Sequence, residues 1–340
     1  MKKIPVAEAV GSVLCHDITR IIPGEVKERA FKKGHIIKEE DVPKLLSLGK
    51  DNIFVWEKKE GFLHEDEAAL YLKKITAGDG LEFSEIKEGK INFIAQFDGV
   101  LRVNKELLSK LNCLGEMVLV TLHNNLTVKK GQLVAGTKVI PLIIDEKKLK
   151  EAEKILNGEP IVSVVPYKAM KVGIVTTGNE VFYGRIKDAF GPVIRKKLEQ
   201  FGCEVLEQVI LPDDSEKITE AINKWTEKGA EMVICTGGMS VDPDDVTPTA
   251  IKNTGAEIIS YGAPVLPGAM FLLAYNKDLP LLGLPACVMY SKTTVFDLVL
   301  PRLLCGEKLS MKDLAEYGHG GLCMGCEECR FPNCNFGKGV

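Results

Sequence analysis

Val233-Ile234-Cys235-Thr236-Gly237-Gly238-Met239-Ser240-Val241-Asp242-Pro243-Asp244-Asp245-Val246-Thr247-Pro248 reads as a strand, a loop and a helix in succession. An apolar run enters Thr-Gly-Gly, a small-polar and acidic loop follows, and Thr247-Pro248 suits the opening of a helix. Loops that follow a strand in this way are where open α/β sheets bind ligands. Gly237 and Gly238 let the main chain approach a ligand and aim N–H groups at an anion, and the hydroxyls of Thr236 and Ser240 add neutral donors. Asp242, Asp244 and Asp245 would repel a bare phosphate. They suit a hard cation such as Mg²⁺, which keeps several waters and bridges carboxylate to phosphate. The loop therefore points to an anion plus a metal. The same residues also make an ordinary βα turn, with Gly for geometry and Asp for capping.

Upstream, Lys171 to Gly178 reads as a second buried strand, delivered into Thr176-Thr177-Gly178-Asn179-Glu180. Its continuous apolar character implies cover on both faces, as in parallel sheets. Between the two loops the pattern gives a helix over 188–201, a strand over 203–211 and a helix over 215–228 capped by Asp214 or Ser215. Strands alternating with helices mean right-handed βαβ units and one doubly wound, mostly parallel sheet, expected over 168–306. Both polar loops then lie at the carboxyl ends of strands and face one crevice. A helix over 291–304 closes the domain.

These motifs resemble the molybdopterin-binding domain shared by molybdopterin molybdenumtransferases and molybdopterin adenylyltransferases, over about Lys171 to Cys305. The Thr-Gly-Gly-x-Ser-Val-x-x-x-Asp pattern carries the likeness, and Asp245-Val246-Thr247-Pro248 looks most like the adenylyltransferase version. The resemblance implies that Glu180 and Asp245 are the catalytic carboxylates and that Thr176, Thr177, Gly178 and Asn179 contact the cofactor, with Thr236, Gly237, Gly238 and Ser240 opposite. Pro267, Gly268 and Pro285 stand where the family has Lys-Pro-Gly-Lys-Pro and Gly-Leu-Pro-Gly-Asn-Pro. Leu266 and Ala269 replace the two lysines, and Ala286-Cys287 replaces Gly-Asn. Two cationic contacts to an oxyanion are thus missing, so phosphate binding would rest on main-chain donors and Mg²⁺.

Residues 1–160 read as an α+β region. It has strands over 31–37 and 53–56, the latter ending at Trp56, helices over 39–49 and 64–77, a small β-rich part over 88–140 and a helix over 142–156. Gly11-Ser12-Val13-Leu14-Cys15-His16-Asp17 and Gly34-His35-Ile36-Ile37-Lys38-Glu39-Glu40-Asp41 resemble the start of molybdenumtransferases, whereas the family's Met-Asp-Gly-Tyr-Ala has no counterpart. His16 and His35 are isolated and read as surface or capping residues. The 340 residues carry a net charge of −3, which argues against a nucleic-acid binder driven by bulk charge. No stretch approaches the roughly 18 apolar residues of a membrane span, and Met1-Lys2-Lys3-Ile4-Pro5 lacks a signal-peptide core. A cytoplasmic protein is expected.

Six of the ten cysteines are scattered in apolar or mixed contexts, and four crowd 318–340. Cys323, Cys326, Cys329 and Cys334 have the spacing C-x₂-C-x₂-C-x₄-C, a metal signature in a reducing compartment. Iron–sulfur and tetrahedral zinc both remain open on spacing alone, as does a redox-reactive tail. The functional expectation is Mg²⁺-dependent insertion of molybdenum, from molybdate, into adenylylated molybdopterin. The alternatives are a non-catalytic molybdopterin carrier or sensor, and the adenylyltransferase step. By resemblance a homodimer is expected, and a molybdoenzyme or another protein of the cofactor pathway is a candidate partner.

Overall fold

Val172 and Ile174 point to one side of their strand and Val175 to the other, and all three are fully buried. Alternation with burial on both sides requires a sheet with cover on each face. The computed structural model, which describes residues 2–22, 26–55 and 60–339, shows how that cover is built. The chain forms two compact units, one comprising the residues up to Gln96 with Val103–Leu122 and Gly131–Ser163, the other Phe97–Arg102, His123–Lys130 and the chain from Val164 onward.

The second unit holds β1 (Lys171–Thr177), α1 (Asn179–Phe182), α2 (Phe190–Glu199), β2 (Glu204–Leu211), α3 (Ser215–Glu227), β3 (Met232–Thr236), α4 (Thr247–Asn253), β4 (Glu257–Tyr261), β5 (Leu272–Asn276), β6 (Leu279–Leu284), α5 (Val295–Leu304) and α6 (Met311–Ala315). The six strands lie in the order β2-β1-β3-β6-β5-β4. β2, β1, β3 and β6 run parallel, and β5 pairs antiparallel with both β6 and the edge strand β4. It is the α/β, mostly parallel sheet that the two apolar strands imply. One face packs Ile174, Ile234, Leu273 and Leu282 against Phe190, Ile194, Phe296 and Leu300. The other packs Val175, Val233, Cys235 and Leu281 against Ile218, Ile222, Trp225 and Ile251. At Gly173 a Cβ would lie 2.5 Å from the Trp225 ring, so the glycine makes room for the largest fully buried side chain.

Local chemistry fixes the helices. Asp214 caps α3 by accepting from the N–H groups of Glu216 (3.1 Å) and Lys217 (3.2 Å). Thr294 and Asp297 form a reciprocal capping box, so α5 starts at Val295, later than the expected 291. Arg302 on α5 is buried and holds Glu307 (2.9 Å), Asp313 (2.8 Å) and the Tyr317 hydroxyl (3.2 Å). Arg102 binds Glu307 as well. Although burial opposes it, Arg302 keeps Glu307 below the ordinary carboxylate range, and Ser310 with Arg302 does the same for Asp313.

In the first unit the strands Leu81–Phe83, Lys90–Ala95, Leu133–Val139 and Met117–Thr121 form a four-stranded sheet in that order. Glu65–Thr76 is helical, with the His64 ring capping it at the Asp66 N–H (3.1 Å). His35 binds the Asp41 carboxylate at 2.7 Å. Three details depart from expectation. Lys105–Cys113 is a helix inside the β-rich part, Ile143–Asp145 is a strand ahead of a helix that begins at Glu146, and the strand expected over 31–37 has already ended at Phe31. Polar Lys105, Glu106, Lys110 and Asn112 hide the period of the first, and β-branched Ile143 and Ile144 favour extension in the second. Asn52–Val55 is a strand, and Trp56 lies outside the described residues. Among the described residues no helix is long and apolar enough to cross a membrane.

Candidate functional site

Strand register puts the two polar loops on one rim. Thr176 pairs with Ile210 on one side and Thr236 on the other, and Thr236 pairs in turn with Leu284. The residues that follow, Gly178, Asp213, Gly237 and Pro285, therefore leave the sheet at the same carboxyl edge, as parallel topology requires. Gly178 has φ +140, and a Cβ on it would lie 2.9 Å from a Glu180 carboxylate oxygen, so Glu180 folds back over the first loop. Gly237 has φ +84, and a Cβ there would stand 2.1 Å from the Thr177 carbonyl oxygen. These close approaches explain the glycines: the loops touch through their backbones.

The threonines hold the rim from below. The Thr236 hydroxyl donates to Thr176 Oγ1 at 3.2 Å, and Gln208 donates to the same Thr176 oxygen at 2.9 Å and to Asp188 at 2.6 Å. Thr176 and Thr236 are fully buried in this network, so their hydroxyls brace the loops and face no open space. Thr177 meets the Thr247 hydroxyl at 3.2 Å, and Thr247 donates to the Gly237 carbonyl at 2.8 Å. Above them, the N–H groups of Gly238, Met239 and Ser240 meet no acceptor among the described residues. Unpaired main-chain donors beside a rim are what an anion needs. The Tyr261 hydroxyl fastens the loop by donating to the carbonyls of Met239 (3.0 Å) and Ser240 (3.1 Å).

Four carboxylates stand on the same two loops and just beyond β2. Burial raises Asp213 above the ordinary carboxylate range, and the negative charges of Glu180, Asp244 and Asp245 add to the shift. Asp213 thus feels both members of the expected pair, Glu180 and Asp245, and it is an acidic residue that sequence reading did not single out. Its signal was its position, two residues beyond the end of β2. Asp213 also accepts from the Asn179 N–H at 2.9 Å, tying the first loop to β2. Asp245 accepts from the Asp242 N–H at 2.9 Å, so it closes its own loop as well. Asp242 and Asp244 are exposed. Among the described residues none of these acidic groups forms a salt bridge, and like charges without a partner favour a cation. No three His, Cys, Asp or Glu side chains among the described residues are grouped as ligands of one ion. Mg²⁺ does not require that, since one or two carboxylates with waters and ligand phosphates complete its shell.

Residues 173–304 match the family described as "Probable molybdopterin binding domain". Residues 3–57 match a domain of unknown function, DUF8806. The chain is 27% identical over 192 residues to the molybdopterin molybdenumtransferase of Haemophilus influenzae, covering 53% of this chain and 45% of that protein. A CinA-like protein of Amoebophilus asiaticus is 37% identical over 82 residues, covering 24% of this chain and 20% of its own length. The chain thus spans less than half the length of these curated relatives. Among solved structures, the molybdopterin biosynthesis enzyme MoaB from Thermus thermophilus is 21% identical and covers 41% of this chain and 98% of its own, with a TM-score of 0.33.

Within residues 173–304, Leu266, one of the two positions that lack the expected lysine, has another task. Leu266 is 56% exposed. Its N–H donates to the Gly321 carbonyl and its carbonyl accepts from the Cys323 N–H, both at 2.8 Å. The Leu266-Pro267 peptide is cis, and a Cβ on Gly268 would lie 2.6 Å from Val295, so this loop packs flat on the start of α5. Pro285 is buried directly after β6. Cys287 is half-buried, and burial pushes its thiol up, which suits a packed thiol more than a reactive one.

The cysteine tail packs onto the same domain. Cys323, Cys326, Cys329 and Cys334 all line one cavity of about 350 Å³ together with Pro267, Lys292, Thr293, Phe331 and Phe336. Cys323 and Cys334 pack against the main core, whereas Cys326 and Cys329 are exposed. Thr293 contacts the Cys329 sulfur at 3.3 Å, and with the Phe331 backbone and Lys292 it lowers that thiol below its ordinary value. Sequence reading missed Lys292 and Thr293, because nothing local marks a loop that a distant segment will cover.

Proposed function

We propose that the rim formed by the 176–180 and 236–245 loops binds the phosphates of molybdopterin, and that the protein inserts molybdenum into the adenylylated form with Mg²⁺. The carrying observation is the convergence of Glu180, Asp213, Asp244 and Asp245 beside unpaired main-chain N–H groups. In this reading the N–H groups of Gly238, Met239 and Ser240 hold phosphate oxygens. Glu180 and Asp245 position Mg²⁺, which neutralises charge on the departing AMP. The buried Thr176 and Thr236, with Gln208, keep the two loops in register, so catalysis rests on orientation and charge neutralisation with no covalent nucleophile.

A second reading is a non-catalytic carrier or sensor of molybdopterin. Leu266 and Ala269 favour it: neither supplies a cation, and the Leu266 main chain is occupied by the tail. Turnover separates the two. Purified protein given adenylylated molybdopterin, Mg²⁺ and molybdate should release AMP if insertion is its activity. Tight pterin binding without AMP release supports the carrier. Absence of pterin binding overturns both.

A further inference from the structure

The tail cavity stands apart from the rim chemistry, and its size discriminates between the metals that the cysteine spacing leaves open. A single tetrahedral zinc holds each sulfur at about 2.3 Å, which places the sulfurs within about 3.8 Å of one another. Among the described residues no three cysteines are grouped in that way. Instead all four line a space of about 350 Å³, more than twentyfold the roughly 10–15 Å³ that one water needs on the same measure. Four thiols spread around a space of this size are arranged for a group of several atoms.

We propose that Cys323, Cys326, Cys329 and Cys334 ligate a [4Fe–4S] cluster in this cavity. The C-x₂-C-x₂-C run supplies three ligands at the spacing used in ferredoxin segments, and Cys334 supplies the fourth after a longer gap. The surroundings suit such a group. Phe331 and Phe336 form an apolar wall, Phe336 being buried. Two ferrous and two ferric ions with four sulfides carry two positive charges. Four thiolates, each having released its proton to solvent, bring the assembly to two negative charges with no net electron transfer. Lys292 and Arg330 line the cavity with opposite charge, and Thr293 is placed to hydrogen-bond the Cys329 sulfur.

The tail is built as a fixed wall. A Cβ on Gly321 would stand 2.4 Å from the carbonyl oxygens of Pro264 and Tyr317, and one on Gly337 would stand 2.2 Å from Leu298. With the Leu266 bridge to Gly321 and Cys323, these contacts place the first ligand against the domain core. The cluster is independent of the pterin reading, since iron and sulfide content report it without any pterin.

The test is anaerobic reconstitution of the full chain with equal ferrous and ferric iron and sulfide, beside a parallel incubation with zinc alone. The expected result is about four irons and four sulfides per chain, with a broad visible absorption that bleaches on reduction by dithionite. The double variant Cys326→Ser/Cys329→Ser changes two exposed side chains and should lose the iron, while the circular-dichroism melting curves of the metal-free variant and the metal-free native chain coincide. Cys113→Ser, at an exposed cysteine elsewhere, should retain all of it. One zinc per chain with no iron uptake overturns the proposal, as do two irons per chain, no metal at all, or full iron retention by the double variant.

Discussion

Replacing Gly237 by Ala tests whether the main chain of the second loop is the binding surface. At φ +84 a side chain costs about 1 kcal/mol in backbone strain alone. The new Cβ would start 2.1 Å from the Thr177 carbonyl oxygen, and contacts below 3.0 Å are essentially never seen. The obstruction is backbone, so no rotamer relieves it and the loops must separate. Separation breaks the Thr247 bond to the Gly237 carbonyl and loosens the Thr177–Thr247 contact, about 1 kcal/mol each. The total is about 3 kcal/mol. Gly255 provides the control: its φ is +81, yet nothing lies within 4 Å of a Cβ there, so Gly255→Ala should cost about 1 kcal/mol. Urea denaturation followed by circular dichroism gives the two stabilities, and titration with molybdopterin gives the affinities. Gly237→Ala should bind at least about tenfold more weakly, roughly 1.4 kcal/mol, with Gly255→Ala unchanged. Equal stabilities and undiminished affinity at Gly237→Ala would refute the argument that the loops meet through their backbones to form the site.

Glu180→Gln and Asp245→Asn should each lower AMP release by about a hundredfold or more, the scale of losing one electrostatic stabiliser. Asp213 has a raised value in the fold, so its ionisation opposes folding as pH climbs from its unfolded value through its folded one. Asp213→Asn should therefore be the more stable protein at neutral pH, with the difference vanishing in acid; a pH series of unfolding curves reads it, and no difference at neutral pH would contradict the clustered carboxylates. Arg302→Met removes the main partner of Glu307 and one partner of Asp313, and should cost about 3–5 kcal/mol. Both carboxylates lie below their ordinary values, so their contribution is complete above the unfolded value and is lost as pH falls through the folded one. Thermal melts across the acid range should show a steeper decline in the native protein than in the variant.

The sheet was legible because its strands are apolar on both faces, a pattern that Lys171–Thr177 and Met232–Thr236 carry without interruption. The order of the edge strands was not, since β4 and β5 pair antiparallel through contacts between segments that no local period announces. At the rim, Gly237 and Gly238 read as glycines for the approach of a ligand, whereas the close approach seen at Gly237 is to the Thr177 carbonyl. The hydroxyls were misleading in part: Thr176 and Thr236 look like ligand donors in sequence, yet their register partners make them a buried pair. Asp213 escaped because its neighbour Asp214 accounts for the local need of α3 for a cap. The two positions lacking lysine were visible as departures, whereas the tail's hold on Leu266 depends on a pairing across more than fifty intervening residues.

That pairing has a consequence for motion. Leu266 and the tail share two main-chain bonds, one from the Leu266 N–H to Gly321 and one from the Cys323 N–H to Leu266, so neither amide exchanges with solvent unless the tail lifts from the domain. Pro267 and Gly268 adjoin the same bridge. Hydrogen–deuterium exchange at these two amides would therefore rise and fall together, and it would report from the tail on the freedom of the loop beside it.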